Sequence, residues 1–523
     1  MLKEPSAYQH ELEMVTLESL VPADHLVRKI EAAIDLSFIR ERVAHLYCAN
    51  NGRPAIEPVV LFKLLLLGYL FGIRSERQLM REVQVNVAYR WFLGLRLTDK
   101  VPDASTISQN RRRRFAGSGI YQEIFDEIVL QAIGRGMVEG QVLYSDSTHL
   151  KANANKNKHD EVEVACSASA YLQELEEAID ADRIAAGKKP FKPRTRAQGA
   201  EVDSEDDDRG GSAASATDSD APDATSTDAA SGAVQTKRIK QSRTDPDSGF
   251  MVRDDKPRGF FYLDHRTVDS KHAIITDTHV TAGNVHDSQP YIKRLERQCE
   301  RFGLAPYAVG LDAGYFTPQV CYGLEQRGIA AVMGYRTPTH KAGYFYKRQY
   351  SYDSEQDIYL CPQGQQLHYR TTNRQGYRLY HSDPAQCAGC DQRQRCTRSA
   401  NMTKVVTRHV WEWAKAAVDA RRLSEWGKKV YARRKETVER SFADAKQLHG
   451  HRYARMRGLS KVTEQCLLAA CAQNMKKIAL LLARLLQLFK AARSGWEQRK
   501  QAQCASQKFY RRWVSRSAHR LAN

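Results

Sequence analysis

The chain has 523 residues, too many for one ordinary domain, so about two to four structural units with a substantial buried core are expected. Its 80 Lys and Arg against 61 Asp and Glu leave a net charge of +19, a balance that points to a polyanionic partner such as nucleic acid. A membrane partner is not expected: the most apolar stretches, 59–71 and 478–489, are broken by Lys63 and by Arg484 and Gln487, and fall short of the roughly 20 residues that span a bilayer.

Residues 1–136 read as an all-helical domain, with Val60, Leu64, Leu67 and Phe71 at helical spacing and no alternating strand. The opening MLKEPSAYQHELEMV lacks the basic-then-apolar layout of a secretory signal, so a cytoplasmic, nucleoid-associated protein is expected, with its eleven cysteines reduced. Further on, PDASTISQNRRRRF offers N-caps at Asp103 and Ser105 and then Arg111, Arg112, Arg113 and Arg114 on a helix. Four in a row point around most of a helix, so at least two face solvent and can contact phosphates; the plainer reading is a solvated basic helix.

From Gln141 the pattern turns to β-rich runs, QVLYSD, GFFYLDHRTVD, HAIITDTHVT, YAVGLDAGY and the shorter IAAVMGYR, with helical segments at 288–301 and 318–327. Three strands in near succession followed by alternating helices and strands predict a mixed α/β sheet, the first part of a core over 137–343. Alternation places Val142, Tyr144 and Asp146 on one face, so that an apolar strand ends by presenting a carboxylate. Asp312 ends YAVGLD in the same way, between Gly310 and Gly314. An insertion over 187–236 interrupts this core. Between Glu201 and Asp228 it sets ten carboxylates against Arg209 alone, so it is expected to be disordered, and the rest of the chain carries about +28.

A second insertion, 344–407, holds Cys361, Cys387, Cys390 and Cys396, one CxxC with two outliers. This is a candidate four-thiolate zinc site, with buried unliganded thiols as the alternative. The core resumes over 408–490, with helices expected at 418–448 and 462–489, and a basic tail follows at 491–523. In YARRKETVERSFADAK, Lys435, Glu439 and Lys446 stand at i, i+4 and i+11, on one helical face; Glu436 and Asp444 compete with Glu439 as a third acid. The following HGHRYARMRGL brings Arg452, Arg455 and Arg457 beside one tyrosine, suited to a DNA strand near a cleavage site.

A few carboxylates suffice for Mg²⁺, which prefers oxygen ligands and keeps several waters; two such ions ~3.5–4 Å apart serve in-line displacement at phosphorus. Lysines beside the acids would then hold phosphates. Each acid also has a plainer reading, as a turn, cap or solvated helix-face residue, and spacing alone leaves that choice open.

The segments NGRPAIEPVVLFKLLLLGYLFGIRSERQLMREVQVNVAYRWFLGL, PDASTISQNRRRRF, VLYSDSTHLKANANK, GLDAGYF and RRKETVERSFADAKQLHGHRYARMRGLSKVTEQCLLAACAQNMKK resemble, in order, those of bacterial insertion-sequence DDE transposases, and among them the IS-five-like relatives. The resemblance implies an RNase H-like catalytic domain with Asp146, Asp312 and Glu439 as the metal-binding acids, using Mg²⁺ or Mn²⁺, behind a helical N-terminal DNA-binding domain. It also implies double-stranded DNA as partner, both terminal inverted repeats and target, and a homo-oligomer on that DNA. Glu439 to Lys446 keeps the family's six intervening residues, whereas Tyr431 is followed by Arg433, Arg434 and Lys435 with the register shifted by one. Arg434 and Lys435 are therefore counted among the phosphate contacts. Two alternatives remain, a non-catalytic DNA-binding regulator derived from a transposase and a metal-dependent nuclease without strand transfer.

Overall fold

The computed structural model describes residues 14–48, 55–165, 170–191, 236–252, 258–336 and 342–521. The chain divides into two units, one formed by Met1–Met137, Leu448–Gly450 and Leu468–Asn523, the other by Val138–Gln447 and His451–Leu467. Residues 468–490, expected with the catalytic core, therefore group with the N-terminal helices.

The first unit is helical. Its N-terminal part runs α1 Leu17–Leu20, α2 Leu26–Ala33, α3 Phe38–Val43, α4 Pro58–Leu70, α5 Glu76–Val85, α6 Val87–Leu93, α7 Ala104–Arg113 and α8 Ile120–Gly134. Side-chain caps set the starts: Ser75, Asn86 and Asp103 accept from backbone N–H groups of α5, α6 and α7, satisfying donors that no helical carbonyl reaches. The apolar α4 is buried nearly all round, and Phe62 packs its ring 5.1 Å from Phe115 and 5.8 Å from Tyr121.

The second unit holds the sheet. Its strands are β1 Val142–Lys151, β2 His159–Ala165, β3 Thr236–Ser242, β4 Gly249–Met251, β5 Gly259–Asp269, β6 Ile275–Ala282, β7 Ala308–Leu311 and β8 Ala330–Met333. The path is β2-β3-β4-β5-β1-β7-β8, and β6 also pairs with β5. Thus β6, β5 and β1 are antiparallel neighbours, and β7 and β8 continue the sheet in parallel with β1. Mixed pairing of this kind behind a helical N-terminal region is the architecture of an RNase H-like domain. Helices α10 Tyr291–Phe302 and α11 Pro318–Gln326 pack with α14 Glu412–Leu423 against the apolar residues of β1, β7 and β8. β5 is buried along its whole length.

Several expectations change. β1 does not end at Asp146: what ends there is its pairing with β7, while β1 runs on to Lys151 against β5. Residues 344–407 form a second sheet, β9 Ser351–Asp353, β10 Ile358–Leu360, β11 Gln366–Thr372, β12 Tyr377–Ser382 and β13 Val405–His409, in the order β13-β12-β11-β10-β9. Its Tyr-rich core is satisfied by Asp357, which accepts from Tyr352 Oη at 2.8 Å, Tyr380 Oη at 2.6 Å and Arg378 Nη2 at 2.7 Å. α9, Ala170–Ala185, docks on this sheet, where Arg183 donates to the Thr372 carbonyl and Asp182 accepts from the Thr372 hydroxyl. The acidic segment expected to be disordered falls, for residues 192–235, outside the described residues.

The helix expected over 418–448 is broken twice. Ser424 caps a new helix, α15 Glu425–Ala432, and turns at 433–437 precede α16 Val438–Leu448. The last helix, α17 Leu459–Leu521, continues through most of the basic tail. By length and composition it includes, within Leu459–Lys500, a stretch able to cross a membrane, longer than the sequence reading recognised; 67% of that window is buried in the protein.

Candidate active site

Parallel register pairs Ser145 of β1 with Leu311 of β7, so the next residues stand side by side, Asp146 within β1 where its pairing with β7 stops and Asp312 just past the end of β7. Close packing on that face needs Gly310: a Cβ there would lie 2.6 Å from the buried Tyr144 ring. Asp146 is pushed up to about 6, first by burial and then by the carboxylates of Asp312 and Asp287; Arg434 and the Ser147 N–H, which donates to its Oδ1 at 2.8 Å, oppose the rise. Asp312 is exposed at the N-terminus of a short 3-10 turn, its side chain uncommitted to capping.

The third acid lies in the first turn of α16, and Arg434, in the turn before it, links that acid to the sheet. Arg434, 2% exposed, reaches back to the sheet: its Nη2 donates to Asp146 Oδ2 at 2.8 Å, its Nη1 to the Ser145 carbonyl at 3.1 Å, and its Nε lies 3.6 Å from Glu439 Oε1. One guanidinium thus joins Asp146 to Glu439. Glu439 sits in the first turn of α16, half exposed, with its N–H bonded to the Arg434 carbonyl at 3.1 Å. The extra residue between Arg434 and Glu439 is taken up by this turn, so Arg434, not Arg433, is the buried cation; Arg433 instead donates to the Ser270 carbonyl at 2.8 Å. Tyr431 of α15 lies close to the end of β8, where a Cβ on Gly334 would stand 2.6 Å from its hydroxyl.

Asp287 was missed in the sequence. It follows β6 in a turn that carries no strand or helix periodicity, and its only local signal is the polar run VHDS. Its Oδ1 accepts from Ser147 Oγ at 2.7 Å and lies 4.0 Å from the buried His265 Nδ1. It is thus a fourth carboxylate after Asp146, Asp312 and Glu439, held by Ser147, the residue next to Asp146.

Other sequence candidates divide by exposure. Arg111 is bound to Glu76 at 2.7 Å and Arg114 stacks 3.9 Å over Tyr47, whereas Arg112 and Arg113 are exposed. Arg434 was read as a phosphate contact; burial against Asp146 commits it to the interior instead. Lys435 is exposed in a turn, not on a shared helical face with Glu439 and Lys446, because α16 begins at Val438. Arg452 and Arg457 are exposed on a segment that bridges β1 in parallel at Lys151 and Tyr453; Arg455 is partly buried.

Among the described residues, one group of His, Cys, Asp or Glu has its donor atoms all within 4.8 Å of one another: Asp264, His451 and Cys466, all buried. The Asp264 carboxylate is already engaged by Arg266 Nε at 2.8 Å, His451 Nε2 at 2.8 Å and Thr278 Oγ1 at 2.7 Å. Burial raises its pKa, but these partners outweigh it and hold the group below the ordinary carboxylate range. Such a network is complete without a cation.

Two family models match the chain. Residues 15–113 match the one described as "Transposase domain (DUF772)", and residues 360–479 match the one described as "Transposase DDE domain". The second match contains Glu439 and the four cysteines, and lies C-terminal to both aspartates. No curated protein gives a match, and no solved structure does.

Proposed function

We propose that the chain, whose residues 15–113 and 360–479 match transposase family models, is a DDE transposase that cleaves the ends of its element and joins them to target DNA at a site built from Asp146, Asp312 and Glu439. The observation that carries this reading is the gathering of Asp146 and Glu439 on Arg434 while Asp312 emerges on the neighbouring strand. The donor set suits Mg²⁺ or Mn²⁺, because every donor is a carboxylate oxygen and the Asp146 charge is disfavoured first by burial and then by neighbouring carboxylates, both of which a cation would offset. When bound, such ions supply activation of the attacking oxygen and stabilisation of the leaving one.

The chain's own residues do the rest. Arg434 fixes the Asp146 carboxylate against the sheet and balances part of its charge, and the Ser147 N–H orients the other oxygen. Asp287, held by Ser147 Oγ, adds negative charge to the same end of the sheet. Among the basic side chains singled out in the sequence, Lys435, Arg452 and Arg457, and in the helical unit Arg112 and Arg113, are exposed and so available to phosphates. Replacing Asp146, Asp312 or Glu439 singly with Ala should lower Mg²⁺-dependent cleavage of element ends at least about a thousandfold while duplex binding persists. Wild-type protein that binds the ends selectively yet cuts with neither Mg²⁺ nor Mn²⁺ would establish the regulator instead. Nicking without joining, even with a free 3′-hydroxyl and target DNA supplied, would establish the plain nuclease.

A further inference from the structure

Three short pieces of the second sheet's region bring four cysteines to one small cavity. Between β10 and β11 the chain folds into a tight turn: Cys361 N–H donates to the Gln365 carbonyl at 2.9 Å, Gly364 N–H to the Cys361 carbonyl at 2.8 Å, and Gln365 N–H to Cys361 Sγ at 3.3 Å. Gly364 closes it at φ +77°, where a side chain would be strained. Facing the turn are α12, Pro384–Ala388, which carries Cys387, the turn at Cys390, and α13, Arg393–Cys396, which ends on the fourth cysteine. All four line the same cavity, together with Phe345 and Leu367, and all are half-buried free thiols.

Packing does not account for this arrangement. The sheet's buried core is made by Tyr350, Tyr359, Leu367, Tyr380 and Val406, with Cys361 and Cys396 only at its margin. Five- and four-residue helices have too few internal hydrogen bonds to hold themselves, and neither α12 nor α13 buries a residue fully. A cross-link would hold them. The Gln365 N–H directed at the Cys361 sulfur is a hydrogen bond of the kind that orients a metal-binding side chain. Four sulfurs at one cavity, two spaced CxxC, match the donor number and softness that a closed tetrahedral zinc site requires.

We propose that Cys361, Cys387, Cys390 and Cys396 bind one structural Zn²⁺, which pins α12 and α13 to the β10–β11 turn. Zn–S bonds of ~2.3 Å hold tetrahedral sulfurs ~3.8 Å apart. Four sulfurs at that spacing would fix the two short helices and the turn to one another. This site shares no residue with the acids and does not rest on the proposed reaction.

Full-length protein purified under reducing conditions, exposed to equimolar Zn²⁺ and desalted, should retain about one zinc per chain by elemental analysis. Cys387→Ser/Cys390→Ser should lose it, and Asp146→Asn/Asp312→Asn should keep it. Should the cysteine variant fail to fold, Co²⁺ loaded into the wild-type protein gives the same answer: thiolate-to-cobalt charge transfer with tetrahedral d–d bands supports the site. Wild-type protein that retains no zinc, zinc that survives the cysteine double substitution or leaves with the aspartates, or a cobalt spectrum without thiolate bands would overturn it.

Discussion

Asp146 on β1 and Asp264 on β5 lie on one face of one sheet, and their environments drive them in opposite directions. Asp146 pairs across the strands with Arg266, yet Arg266 turns along its own strand to Asp264, which also takes His451 and Thr278. That leaves Asp146 with Arg434, a Ser147 N–H, and two neighbouring carboxylates. One aspartate is overprovided with donors and stays ionised in the interior. The other is underprovided and is held near about 6, ready to trade its proton for another cation. Burial alone therefore does not distinguish the two carboxylates; the number of partners does.

The comparison breaks most visibly in stability. Asp264→Ala leaves Arg266 and His451 buried without their shared acceptor and should cost about 3–5 kcal/mol in urea unfolding. A loss within error of zero would show that the network contributes nothing to the fold. Asp146→Asn should act the other way. A carboxylate raised in the folded state costs stability once pH exceeds its unfolded value near 4, and the whole cost is present above about 6. Wild-type protein should therefore lose up to ~3 kcal/mol relative to Asp146→Asn between those limits, with no further divergence above them. Parallel pH curves for the two proteins would remove the strain assigned to Asp146.

The smallest effect sharpens the same contrast. Asp287→Asn removes one of the like charges beside Asp146, so the acid limb of the cleavage profile, measured at limiting Mg²⁺, should move to lower pH by a fraction of a unit. An unchanged limb, or one moved upward, would take Asp287 out of the site.

The apolar frame was legible because it obeys simple periodicities. GFFYLDHRTVD is β5, HAIITDTHVT holds all but the last residue of β6, and Asp312 follows β7 where the alternation placed it. What escaped was structure made without apolar residues. HDEVEVA and TKRIKQS pair as β2 and β3 at the sheet's edge, with Glu163 and Arg238 joined across strands at 2.9 Å, and so many charges hide a strand from a hydrophobic pattern. The breaks in the helix expected over 418–448 were hidden differently. Ser424 was a readable cap, but the turns at 433–437 depend on Arg434 entering a sheet that lies far away in sequence. Asp287 was illegible for the same reason: only folding brings it to Ser147.

The bridge between Lys151 and Tyr453 makes β1 a measuring rod. The Lys151 N–H donates to the Arg452 carbonyl at 3.3 Å and the Ala454 N–H to the Lys151 carbonyl at 2.9 Å, so the segment bearing Arg452 and Arg457 is fastened to the far end of the strand that presents Asp146. Five residues of extended chain separate the two points, ~17 Å at the usual rise. That length equals the rise of about five base pairs along the axis of B-form DNA. On the proposed reading, the distance from the cut phosphate to the arginine grip is written in the backbone of β1, where side-chain substitution leaves it unchanged and an inserted or deleted residue alters it by a fixed increment.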